Sequence, residues 1–281
     1  MAAKNITYAA AVTGFMRSLI GKEIMTDLAL NTFVLESMAY YIGGMQDEEL
    51  ILTVDVENAV VHVQAIAIIE VVGINSCECQ FEYEKILRDL LTVASLGNSR
   101  TNVTDLIAMN VITSWANTNA TSLQKIRSGA AGLFGSMFGV EWRYRENPKL
   151  KHYIAEHAHP SLQQPCEDLE YTMSRLNGVI GAIVRREGKT VTRDFFTLTS
   201  IANVIEINLA MMATIARASR SYCIGLRNSD IEFAAYRAKT ELQMLSKFFG
   251  LIQMTPAMLE VGRTVLDNKG FCLESPTELN W

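Results

Sequence analysis

The sequence predicts an all-α protein, a four-helix bundle followed by a second helical bundle. Three observations carry that expectation. Apolar residues recur at spacings of three and four through almost every segment, prolines number only 5 in 281 residues, and no hairpin signal divides the long Val- and Ile-rich runs.

Taken in order, the first stretch, "MAAKNITYAAAV", enters a helical pattern at once and shows neither an Arg-rich presequence nor a secretory signal. The chain is therefore expected either to begin after processing or to be a piece of something longer. In "TDLALNTFVLESMAYYIGGM" the positions Leu28, Leu30, Phe33, Val34, Ser37, Met38 and Tyr41 share a helical face, and Gly43-Gly44 reads as the C-cap. "DEELILTVDVENAVVHVQAIAIIEVVG" begins acidic, which suits a helix N-terminus, and is expected to stop near Gly73. The Gly-, Asn- and Thr-rich "ASLGNSRTNVTDLI", residues 94 to 107, follows the charged "FEYEKILRDLL" and reads as a loop that opens a helix ending near Trp115. A Gly-, Pro- and His-containing connection comes next. Beyond it lie helical patterns over residues 166 to 187, 191 to 224 and 229 to 254, then a shorter one from Pro256 to Gly270. The expected units are a bundle over 1–120, an amphipathic connecting segment over 121–160, and a helical extension over 161–281.

Composition removes several classes of function. A formal net charge of -5 gives no general attraction to nucleic acid. The five cysteines, Cys77, Cys79, Cys166, Cys223 and Cys272, lack framework spacing, which favours a reducing compartment and free thiols, with Cys77 and Cys79 as loop thiols. No apolar run reads as the roughly 18 residues a membrane span needs. His152, His157 and His159 are spaced five and two apart and broken by Pro160, so they read as solvated loop histidines and no metal site is expected. Glu167, Asp168 and Glu170 read as an acidic helix start that complements the dipole. Four histidines and no nucleophile elbow leave no case for a Ser-His-Asp triad.

One segment has a membrane-surface pattern. Leu133, Phe134, Met137, Phe138 and Trp142 can share a face, together with Leu123 and Ile126, flanked by Lys125, Arg127, Arg143, Arg145 and Lys149. An apolar face with an aromatic anchor and basic flanks suits a helix lying in a bilayer interface; the alternative is an ordinary helix on the core. Arg217 and Arg220, three apart on one face, pair either with acids such as Glu206 or Asp230, or, together with Arg227, with an acidic partner.

Four blocks occur in an order that points to a known family. "FEYEKILRDL" resembles the "YPYERILRD" signature of the acyl-CoA dehydrogenases, and "FVLESMAYYIGGM" resembles "YVMESMTYLTAGM" of their very-long-chain branch. "IARASRSYCIGLRN", residues 215 to 228, resembles the "LSRASRS" and "IGLRN" runs of that branch's C-terminal extension, and "HPSL", residues 159 to 162, stands where the extension begins. The resemblance covers residues 10 to 255 and implies a C-terminal-type four-helix bundle plus the extension, without the family's preceding helical and β-barrel domains. It also implies a homodimer through residues 20 to 115.

The family removes the α-proton of an acyl-CoA thioester with a glutamate and passes hydride to flavin adenine dinucleotide. That base needs a carboxylate within reach of the C–H bond in a dry pocket. In the branch it lies in "FEGTNE"; its position here falls at Gly97, or at Ser99 when Thr101 and Asn102 are aligned with "TN", and neither residue is a base. The flavin-binding "QILGGLGY" aligns with Glu70, Gly73, Ile74 and Ser76, which places a carboxylate and side chains where the cofactor needs an uncharged amide and bare backbone. The family's "TRKQF" flavin contact is absent. The resemblance thus implies a catalytically inactive relative without FAD, acting at the matrix side of the mitochondrial inner membrane with complex I assembly factors or respiratory-complex subunits as partners. The alternatives are a structural subunit of a respiratory complex, or an active FAD-dependent acyl-CoA dehydrogenase of fatty-acid β-oxidation in which Glu57 or Glu70 serves as base.

Overall fold

The structure, a computed structural model, describes residues 2–20, 26–47, 55–79, 81–95, 100–120 and 152–225, and in addition residues 260, 263, 264, 266 and 267. Every regular element among the described residues is helical. In chain order they are α1 (Ala2–Ile20), α2 (Thr26–Asp47), α3 (Asp55–Cys79), α4 (Phe81–Ser95), α5 (Arg100–Thr118), α6 (Gln163–Glu187) and α7 (Phe195–Cys223), with short 3-10 helices at Ile154–His157, Pro160–Leu162 and Gly188–Arg193.

Each helix buries the stripe that its sequence presents. On α1 the buried residues are Tyr8, Ala9, Val12, Phe15 and Met16, a run of threes and fours that puts one face on α2 and α3. Burial pushes the Tyr8 phenol up to about 12, and its hydroxyl donates to the Leu90 carbonyl at 3.3 Å. Among the described side chains of α4, Tyr83, Leu87 and Ala94 are buried and most of the others are exposed, so that helix lies on the outside. Two helices are apolar nearly all round and form the centre: α3 touches α1, α2, α4, α5 and α7, and α7 touches α2, α3, α5 and α6.

Helix ends are set by local chemistry. Gly188 closes α6 at φ 59°, ψ −124°, a conformation that a side chain would strain. Asp194 then caps α7, its carboxylate accepting from the Thr197 amide at 3.2 Å and from the Thr197 hydroxyl at 2.6 Å. Ahead of α6, the buried Glu170 accepts from the backbone amides of His152, Tyr153 and Ile154, which ties the 3-10 segment to the helix and holds Tyr153 at φ 48°. Glu170 is thus the anchor of a connection rather than a complement to the helix dipole.

Several sequence expectations are corrected. Gly43 and Gly44 lie inside α2, and α3 runs past Gly73 to Cys79, so Cys77 and Cys79 are helical residues rather than loop thiols. A glycine costs a helix about 1 kcal/mol, which weakens it without ending it. The described helices on the two sides of the connecting segment do not form two bundles in series, because α7 is shared: Val34 and Met38 of α2, Ile66 of α3 and Ile107 of α5 belong to the same core as Ile201 and Met211 of α7. Helix α7 is also long and apolar enough to cross a membrane by composition, with a mean hydropathy of 1.5, yet 72% of that window is buried inside the protein. Its apolarity is answered by other helices.

Because α7 serves both parts, Ile201→Ala should lower the unfolding free energy by about 2–5 kcal/mol. Urea denaturation followed by circular dichroism should show one cooperative transition, displaced as a whole; two separable transitions with only one displaced would contradict the shared core.

Candidate functional site

The described chain presents two places where polar chemistry is concentrated. The first joins α1, α2 and α7. Glu36, whose side chain is 11% exposed, is gripped from two sides: Arg17 of α1 pairs with Oε1, and Arg217 of α7 donates to Oε2 at 3.0 Å. Arg217 also donates to the Ser37 hydroxyl at 3.3 Å and stands 4.4 Å from the centre of the Phe33 ring. The Ser37 hydroxyl in turn donates to the Phe33 carbonyl at 2.6 Å. All three α2 residues lie in "FVLESMAYYIGGM" and Arg217 lies in "IARASRS". The two blocks, distant in sequence, meet on one carboxylate.

This arrangement corrects the expected pairing of Arg217. Glu206 sits eleven residues earlier on the same helix, roughly 16 Å along its axis, out of reach of a single side chain. Arg217 therefore serves the fold, while Arg220, three positions on, is exposed. Asp230 and Arg227 fall outside the described residues.

The second place is a cavity of about 550 Å³ among α3, α5, α6 and α7, with Glu57, Trp115, Met173, Asn177, Asn208 and Met212 in its lining. The Trp115 indole donates to Asn177 Oδ1 at 2.6 Å across the α5–α6 contact. Gly181 makes that contact fit, since a Cβ there would stand 2.9 Å from Trp115 Cζ2. Asn208 is 7% exposed, and Thr172 reaches its Oδ1 at 2.7 Å while Nδ2 has no partner. Glu57 Oε2 is buried and unpartnered as well. Buried polar groups are ordinarily paired, so two orphans lining one apolar space mark it. Sequence reasoning passed over this site, although Asn208 within the apolar "SIANVIEINLAMMATI" was a visible signal.

The remaining expected residues divide plainly. Glu70, Gly73, Ile74 and Ser76 lie in α3, with Glu70 exposed, and Thr101 and Asn102 lie in the first turn of α5. Gly97 and Ser99 fall outside the described residues, as does the amphipathic stretch containing Lys125, Arg127, Leu133, Phe134, Met137, Phe138, Trp142, Arg143 and Arg145. Of the two carboxylates an active flavoenzyme would recruit, Glu57 lines the cavity and Glu70 does not. Among the histidines, His159 holds Ser161 through Nδ1 at 2.5 Å and lies against Tyr222 with the rings tilted by 40° and their centres 3.4 Å apart, so it is engaged in the fold of the connection. Among the described residues no group of three His, Cys, Asp or Glu side chains is placed to hold a metal ion. No known protein-family model matches the chain.

Breaking the Glu36 cluster has a graded cost. Arg217→Ala should destabilise by about 1–3 kcal/mol because it strips a charged hydrogen-bond partner from a carboxylate that is mostly out of water. Arg17→Ala, at a side chain 61% exposed, should cost about 0–1 kcal/mol. Chemical denaturation of the two variants and of the double variant measures both numbers; equal effects would show that burial does not control the cluster.

Proposed function

We propose that this chain is a catalytically inactive, acyl-CoA dehydrogenase-like scaffold that acts without FAD in the assembly of respiratory complex I, at the matrix side of the mitochondrial inner membrane. Within the very-long-chain branch, "IGLRN" most resembles acyl-CoA dehydrogenase family member nine, and the role in complex I assembly is what that likeness implies. The observation that carries the reading is where the family-like residues fall. Those in "FVLESMAYYIGGM" and "IARASRS" serve the framework, meeting at Glu36 and Arg217. The positions that would hold reactive groups are occupied by Gly97 or Ser99 for the base, and by Glu70, Gly73, Ile74 and Ser76 for the flavin. A chain with the frame and without the reacting groups suits a binding role.

Contact with the bilayer is assigned to the segment containing Phe134, Phe138 and Trp142, whose basic flanks complement an anionic surface. The extension, with Arg220 exposed, faces the partners. A homodimer through residues 20 to 115 completes the proposal.

Co-purification from mitochondria in mild detergent, read by mass spectrometry, tests the reading. Complex I assembly factors or subunits should accompany the chain, and it should be substoichiometric in the mature complex; equimolar presence there would make it a permanent subunit instead. Recovery of the chain alone, with one flavin per chain and acyl-CoA turnover, would overturn the proposal in favour of a flavoenzyme. Separately, replacing Phe134, Phe138 and Trp142 with Ser should reduce sedimentation with anionic vesicles by about tenfold or more, since each large apolar side chain contributes about 1.5–3 kcal/mol when buried. Unchanged sedimentation would remove the membrane anchor from the reading.

A further inference from the structure

We propose that the cavity among α3, α5, α6 and α7 is a binding site for an uncharged amphiphile, an elongated apolar molecule with a hydroxyl head group. Its volume of about 550 Å³ suits a small molecule, since sites for such ligands span about 300–1,000 Å³. The walls are mostly apolar: Val60, Leu176, Ile180 and Leu209 contribute with Met212. Two of the residues that line it carry buried atoms without a hydrogen-bond partner, Asn208 Nδ2 and Glu57 Oε2. Asn208 is more than nine-tenths buried and cannot turn to bulk water for its missing hydrogen bond.

The chemistry of the head group follows from these two residues. Thr172 has one hydroxyl proton and two acceptors in reach, the Leu169 carbonyl at 2.8 Å and Asn208 Oδ1 at 2.7 Å. If the proton goes to Asn208, the amide leaves its N–H donors to the cavity. If it goes to Leu169, the amide turns to donate to Thr172 and leaves its carbonyl. A hydroxyl answers either orientation because it both donates and accepts: in the first its proton is free for Glu57, and in the second it goes to the amide carbonyl. An anionic head would meet the Glu57 carboxylate. An ammonium would pair with Glu57, but it has no acceptor for the Asn208 N–H donors of the first orientation and loses more hydration on entering an apolar space.

The site is distinct from the position, Gly97 or Ser99, at which the acyl-CoA dehydrogenase likeness would place the family's base. The loop that would hold the family's base precedes Arg100, whereas Trp115 lies fifteen residues further along α5, roughly 22 Å away. The proposal therefore stands or falls independently of the scaffold reading.

Trp115 in the lining supplies the reporter. In the full chain with Trp142→Phe and Trp281→Phe it becomes the single indole. Titration with 1-decanol should give a saturable change in its emission, with affinity at least tenfold above that for decanoate, decylamine or decyl methyl ether, which accepts but does not donate. Asn208→Leu should weaken decanol binding about tenfold. Met173→Trp, at a lining side chain 44% exposed, should obstruct entry while circular dichroism stays unchanged; this reporter variant is read by displacement of radiolabelled decanol. Water alone in the cavity, seen as no saturable response, would overturn the proposal. So would equal affinity for the anion, amine or ether, or unchanged decanol binding in both variants.

Discussion

Helix α7 has to be covered on all sides, and the rest of the described structure follows from that need. Seventeen of its residues, from Thr197 to Ser221, are buried, a degree of burial that no single neighbouring helix provides. Helices α2, α3, α5 and α6 surround it. The polar residues along it are accommodated rather than excluded: the Thr214 hydroxyl returns to the Ala210 and Met211 carbonyls, each at 2.9 Å, and Asn208 meets Thr172. What reads in composition as membrane-like apolarity is here the requirement of a core helix.

The Glu36 cluster and the cavity are two consequences of the same surround. Near the C-terminal end of α7, Arg217 reaches α2 and shares the Glu36 carboxylate with Arg17. A carboxylate this far from water is stabilised by two guanidinium groups together more than by either one, and it fixes how α1, α2 and α7 meet. Further toward the N-terminus of α7, α3, α5 and α6 do not close completely on it. The gap is the cavity, and Trp115 spans part of it only because Gly181 leaves room for the ring. One stretch of the contact surface is locked by charge, the other is left open.

That division bears on function. The contact of Glu36 with Arg217 joins two of the sequence blocks, "FVLESMAYYIGGM" and "IARASRS", in the framework of the fold. The cavity is built from residues outside those blocks. Val111, Trp115, Asn177 and Asn208 belong to none of them. The Glu36 cluster and the cavity use different stretches of α7.

The sequence by itself determined the helical class and the places where helices α2, α5, α6 and α7 run, because periods of three and four are local properties of the chain. It also gives the identities of Gly97 and Ser99, neither of which carries a carboxylate. Tertiary structure decided the rest. Gly43, Gly44 and Gly73 did not end their helices, because a glycine costs a helix only about 1 kcal/mol and is not by itself a stop. Arg217 found Glu36, 181 residues away in sequence, rather than an acid on its own helix. Glu170 became an anchor for three amides of a segment ahead of it, and Asn208 became the wall of a cavity. Periodicity tells which face of a helix is apolar; it carries no term for which helix will cover that face, and pairing across the core depends on that choice alone.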